Sequence, residues 1–145
     1  LVAGVAVLLA LYAAPIRILA NAPRPRVPVF AGAAAAVALA VQTVADAQKF
    51  AAKRRAPDRP CTTGLWRVSR HVNYAADVVL HGAVAAAAAL SAPSAATALL
   101  AVAAPLMMCS IVLSATESLD GRQRLAYRDD AFEAYVAATP RLFFT

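Results

Sequence analysis

Residues 72–113 read VNYAADVVLHGAVAAAAALSAPSAATALLAVAAPLMMCSIVL, and this stretch decides the fold. Two apolar runs, about 72–90 and 95–113, are divided only by Ser91-Ala92-Pro93-Ser94. A bilayer core about 30 Å thick needs roughly 20 apolar residues in helical form, so each run has the length of one crossing. The short uncharged turn makes the two an antiparallel hairpin whose outer ends share a side.

Upstream, two further stretches, about 1–19 and 28–46, come near the same length. The segment from Asn21 to Pro28 lies between them; its prolines cannot continue a helix and its arginines stop insertion. The expectation is an all-α membrane bundle of about four transmembrane helices in a single domain, with a loop 47–71 and a tail 114–145. The chain opens at Leu1 inside an apolar run, with neither an initiator Met nor a basic leader, and is expected to be part of a longer protein. A composition of 61% hydrophobic residues and a mean hydropathy of +0.62 agree with a bilayer as solvent. Ala-rich faces on the last three spans let helix backbones approach closely and leave Leu, Val and Met for lipid or a substrate cavity.

The net charge of +6 would raise nucleic acid as a partner in a soluble chain. Here the cations sit between apolar spans, so membrane orientation and an anionic cofactor explain them better, and no nucleic-acid partner is expected. Eleven of the fourteen basic residues fall in loop 47–70 and the tail, against Arg17, Arg24 and Arg26 elsewhere. The positive-inside rule therefore places the long loop and the C-terminus in the cytoplasm. Two cysteines, Cys61 and Cys109, give neither a disulfide framework nor a zinc signature.

Polar variety is densest in Asp46-Ala47-Gln48-Lys49-Phe50 and in Gly64-Leu65-Trp66-Arg67-Val68-Ser69-Arg70-His71-Val72-Asn73-Tyr74. Arg67 and Arg70 lie three apart, on one face if the segment is helical, and their planar forks suit phosphate. Lys53, Arg54 and Arg55 read instead as a solvated or lipid-facing charge run. Within the third span Tyr74, Asp77 and His81 follow at i, i+3 and i+7, so one face presents a phenol, a carboxylate and an imidazole. An ionisable residue at membrane depth is costly and is a functional hypothesis by default; a buried pair with a loop arginine is the plainer role for Asp77. His71 and His81 are too few histidines for a di-iron enzyme, and HExxH, GxSxG, GxGxxG and Walker patterns do not occur. No metal site is expected, and any nucleotide needs another architecture.

The Asp46–Phe50 run, followed by Cys61-Thr62-Thr63-Gly64 and onward through Tyr74, resembles the steroid 5α-reductase C-terminal-like membrane reductases, including their bacterial DUF1295-like branch of unknown function. The likeness resumes at Glu117 and from Ala131-Phe132-Glu133-Ala134-Tyr135 to Thr139, Pro140 and Phe143. The resemblance implies an all-helical membrane fold that holds NADPH on cytoplasmic loops and helix ends while an enone or isolated double bond enters from the bilayer. It implies hydride transfer to the electron-poor alkene carbon and protonation of its neighbour. Arg67, Arg70, His71, Asn73 and Tyr74 match the nucleotide-binding run, and Asp77 stands where Glu is usual. By the same likeness Arg67 and Arg70 neutralise phosphates, Asn73 and Tyr74 orient the cofactor, Asp77 accepts hydrogen bonds from it, and Glu117 and Tyr135 close over it. Val72 replaces a usual Pro, Ala75 a common Gly and Phe132 a frequent Tyr, changes that either tune a pocket or mark a decayed site. Groups that polarise the substrate belong to the family's N-terminal half and find no match, so catalytic residues are left unassigned.

Two other readings stand beside this one. Isoprenylcysteine and phospholipid methyltransferases share a similar Arg-His run before a helix but bind S-adenosylmethionine, and a degenerate, non-catalytic membrane subunit would also fit the departures. Steroid, sterol, polyprenyl and fatty-acyl enones are all compatible as lipophilic substrates. The Ala- and Arg-rich composition suggests a high-GC bacterium and its inner membrane.

Overall fold

In a computed structural model, residues 2–23 and 26–143 are described, the side chains of 2–9 and 11 excepted. Five α-helices follow in order: α1 (Val2–Ala20), α2 (Arg26–Arg55), α3 (Val72–Ser91), α4 (Ala95–Ala126) and α5 (Asp130–Ala138). A single 3₁₀ turn, Gly64–Arg67, precedes α3, and no strand occurs among the described residues. Among these residues α2, α3 and α4 are long and apolar enough to cross a membrane. Helix α1 coincides with the first expected span, whose Leu1 lies outside the described residues, as does Arg24 of the first turn. The all-helical membrane bundle is therefore the fold.

Two expected boundaries move. Loop 47–71 was placed directly after the second span, yet α2 continues to Arg55, because Ala47 to Arg55 are good helix formers and nothing breaks them before Pro57. Likewise the tail from 114 is largely helical: α4 runs to Ala126, and α5 starts at an Asp129 cap whose side chain accepts from Phe132 N at 2.8 Å. A change of solvent at the bilayer surface alters which residues a helix carries without ending it.

The spans are packed inside out relative to a soluble protein. Ala31, Ala38 and Ala45, seven apart on α2, are buried, as are Ala85, Ala87 and Ala88 on α3 and Ala101 and Ala104 on α4. Exposed positions instead hold Val29, Phe30, Leu39, Leu99, Leu100 and Leu106. Lipid solvates large side chains as well as a protein interior does, so close backbone approach, which only small residues allow, is what holds such helices together. Pro15 and Pro105 sit within α1 and α4 without ending either helix.

The chain divides into two compact units, Leu1–Ala38 with Val78–Ile111, and Leu39–Asp77 with Val112–Thr145. The first is a helical unit in which Tyr12 Oη and His81 Nδ1, on α1 and α3, lie 2.6 Å apart. Cys109 Sγ also lies 3.9 Å from the Val78 carbonyl there, a packing role. The second unit has a core of Ala45, Cys61, Trp66 and Val72, bordered by Val41, Ala52 and Leu65.

Candidate anion-binding site in the second unit

The face of α2 that runs through Gln42, Asp46, Lys49 and Lys53 steps by four, three and four residues, one stripe of a 3.6-residue helix. Each member meets the connecting segment, α3 or the residue that follows α4. Gln42 Nε2 donates to Asp77 Oδ1 at 3.0 Å, and Asp46 Oδ1 accepts from Asn73 Nδ2 at 3.1 Å. Lys49 Nζ lies 5.0 Å from the Trp66 ring centre. Lys53 Nζ lies 4.8 Å from the Tyr127 ring centre and donates to Tyr127 Oη and to the Pro57 carbonyl. Lys53 thus turns inward, where solvated surface charge was expected.

The 3₁₀ turn is fixed from several directions. Trp66, 3% exposed, donates its indole N–H to the Ala45 carbonyl at 2.9 Å, and Leu65 N donates to Gln48 Oε1 at 2.8 Å. Gly64 adopts φ +62°, and a Cβ there would fall 2.5 Å from Gln48 Oε1. Glycine supplies both the left-handed conformation and the space. The turn ends at Arg67, so the segment is not helical as far as Arg70 and the condition for a shared helical face of Arg67 and Arg70 is not met. Arg67 is exposed and lines an open depression of about 510 Å³ together with Arg59, Phe132 and Tyr135. Arg70 points elsewhere: its side chain is 11% exposed and its Nη2 lies 3.3 Å from Asp120 Oδ2.

His71 is 2% exposed and donates from Nε2 to Asp120 Oδ1 at 2.6 Å, with the edge of its ring toward Tyr74. Burial holds this imidazole below its ordinary pKa, with help from Arg70 and Lys49, while Asp120 works the other way. His71 therefore orients Asp120 from beneath, and Asp120 faces Arg70 as well. The C-terminal segment closes the arrangement. Arg70 N donates to the Pro140 carbonyl at 2.9 Å and His71 N to the Arg141 carbonyl at 3.1 Å, and Ser69 Oγ donates to that same Arg141 carbonyl. Glu117 pairs with Arg141 at 3.4 Å on the exposed side. Tyr135 Oη donates to the Trp66 carbonyl at 2.6 Å, and burial, seconded by Cys61 and Asp120 against Arg70, pushes this phenol up to about 12.

Of the residues chosen from sequence, Arg70, His71, Tyr74 and Tyr135 gather around the segment from Trp66 to His71. Arg67 opens onto the depression, Glu117 stays on the exposed side, and Asn73 and Asp77 face the α2 stripe. Sequence reasoning missed Asp120, Lys49, Lys53 and Tyr127. Their signal was present as a second stripe, Thr116, Asp120 and Gln123 on α4 with Tyr127 just past its end, with the same four, three, four steps as α2. Lys49, Lys53, Arg70, Gln123, Tyr127 and Tyr135 surround a small cleft that shares Pro60 and Tyr135 with the larger depression. Three cations thus line a cleft of about 30 Å³ among aromatic rings, with no carboxylate in its lining; Asp120 pairs with Arg70, whose Nε is a buried donor with no hydrogen-bond partner among the described residues. Such an arrangement suits an anion with several acceptor oxygens.

No curated protein and no solved structure matches the chain. The family model of DUF1295, a protein of unknown function, matches residues 3–139, nearly the whole length. The chain, with three described helices long and apolar enough to cross a membrane, therefore belongs to the DUF1295 family.

Proposed function

We propose that the protein is an NADPH-dependent reductase of a carbon–carbon double bond in a lipophilic substrate, and that the second unit holds the cofactor. The observation that supports this reading is the gathering of three cations, Lys49, Lys53 and Arg70, at a cleft walled by Trp66, Tyr127 and Tyr135 whose lining contains no carboxylate, Asp120 being the partner of Arg70 alone among them. Phosphate oxygens would complete the unpartnered Arg70 Nε, and a planar ring would lie in the adjoining depression of about 510 Å³ beside Phe132 and Tyr135, the cleft of about 30 Å³ being too small for it. Arg59 and Arg67, which share the adjoining depression with one carboxylate, Asp129, would take further phosphate charge. Asp120 sets the Arg70 fork, His71 sets Asp120, and the α5 helix, pinned through Tyr135, excludes water from one side. When bound, the nicotinamide supplies hydride, and the protein supplies position and charge. The exposed apolar faces of α2 and α4 would give a lipid substrate its route from the bilayer.

S-adenosylmethionine carries no phosphate, so the cation surplus favours the reductase over a methyltransferase. We also infer a bacterial inner-membrane location with the connecting segment and C-terminus cytoplasmic, from the eleven basic residues found there. The test is consumption of NADPH by the reconstituted protein against a panel of steroid, polyprenyl and fatty-acyl enones. Turnover that falls at least tenfold in Arg70→Ala and Lys49→Ala is expected. Methyl transfer from S-adenosylmethionine, indifferent to both substitutions, would overturn the reading.

A further inference from the structure

All eight Asp and Glu residues of the chain lie in the second unit, whereas the first contains Arg17, Arg24 and Arg26 and no carboxylate. Arg17 therefore has no acidic partner within its own unit. It sits in the last turns of α1, where Asn21 Nδ2 donates to its carbonyl at 2.8 Å, and its side chain is exposed. Beside it is a depression of about 850 Å³, within the roughly 300–1,000 Å³ usual for small-ligand sites. Its walls come from the end of α1, the end of α3 and the start of α4, and they include Ile18, Leu90 and Leu100. Leu90 and Leu100 are 67% and 70% exposed.

Ser91, at the end of α3, also lines this depression, is 9% exposed, and its hydroxyl has no hydrogen-bond partner among the described residues. A buried hydroxyl without a partner is uncommon and calls for an acceptor or donor that the chain does not provide. An uncompensated guanidinium, an unsatisfied hydroxyl and an apolar wall on one concavity describe the two halves of an amphiphile. We propose that this depression binds one anionic phospholipid, its phosphate on Arg17 and Ser91 and an acyl chain along Ile18, Leu90 and Leu100. An arginine fork takes two phosphate oxygens at once, which a zwitterionic headgroup shares with its own ammonium. The proposal stands on the first unit alone and is independent of the cofactor reading.

The whole chain is reconstituted in nanodiscs of phosphatidylcholine containing phosphatidylglycerol, and the lipids it retains are counted by native mass spectrometry. Phosphatidylglycerol should be retained in preference to phosphatidylcholine. One interfacial cation contributes about a five-fold preference, which Arg17→Gln should erase and Arg17→Lys largely keep. Leu100→Trp, which narrows the apolar wall, should lower retention without touching the charge, and so carries the test if Arg17→Gln folds poorly by circular dichroism. Equal retention of the two lipids would overturn the proposal. So would an Arg26→Gln loss as large as that of Arg17→Gln, which would mark general surface attraction, or complete displacement by inorganic phosphate, which would mark a headgroup-only site.

Discussion

The two units are built from the same helices by opposite rules. The first has no Asp or Glu side chain, buries alanines, exposes leucines and joins Tyr12 of α1 to His81 of α3. The second contains every acidic residue and eleven of the fourteen cations, and orders them through Trp66, Gln48, Asp120 and the C-terminal carbonyls. In the first, backbone approach is the stabilising term and large residues are bystanders. In the second, hydrogen-bonded charge specifies a geometry, which is what recognition of a charged cofactor requires.

The comparison is broken most severely at Asp120. Asp120→Ala strands His71 and Arg70, both largely buried, and removal of one partner from such a group costs about 3 kcal/mol or more. Unfolding in a denaturing detergent, followed by Trp66 emission, should show the second unit loosened; an unchanged midpoint would mean that the pair contributes nothing.

Next comes the inverted packing of the first unit. Ala88 is 0% exposed, so Ala88→Leu should overpack the helices and destabilise by about 2 kcal/mol. Leu99, 70% exposed, belongs at the other end of the scale. Unfolding in a denaturing detergent, followed by circular dichroism, measures Ala88→Leu and Leu99→Ala alike; an Ala88→Leu midpoint at or above that of the unsubstituted protein would contradict close backbone approach at this position.

How much of this was legible in the sequence follows from the same contrast. Hydropathy locates α3 and α4 and their Ser91–Ser94 turn to within a residue or two at the membrane ends, because bilayer thickness dictates apolar length. It stops at Asp46 and Leu113, where charges begin, although helix propensity carries α2 to Arg55 and α4 to Ala126. Arg70 and His71 were legible as a motif. Their partner Asp120 was not, since it lies forty-nine positions from His71 and only tertiary placement brings it there. The stripe of Gln42, Asp46, Lys49 and Lys53 was readable once α2 was known to continue; taken as loop, its periodicity had no meaning.

Acidification should sharpen the difference by a smaller amount. His71 has its pKa lowered in the folded protein, so below the unfolded value near 6.5 the unfolded chain takes up a proton that the folded chain resists. Stability should fall as pH drops through that value and be flat above it, and His71→Gln should remove this slope. Equilibrium unfolding at a series of pH values measures it; a slope of opposite sign would place the charged imidazole in the folded state. Least of all, Leu99→Ala should shift stability by about 0.5 kcal/mol or less, since lipid replaces the lost contacts.

The central claim is that the charged unit holds a phosphate-rich nucleotide, and Trp66 reports on it directly. It is the chain's one tryptophan, packed beneath Lys49 within the core that positions Arg70. The solubilised protein is titrated with NADPH, NADH and S-adenosylmethionine while energy transfer from Trp66 to the nicotinamide and Trp66 quenching are followed. The account predicts saturable transfer with NADPH, weaker with NADH, and lost in Arg70→Ala. A response to S-adenosylmethionine alone, or silence toward all three from a folded sample, would contradict it.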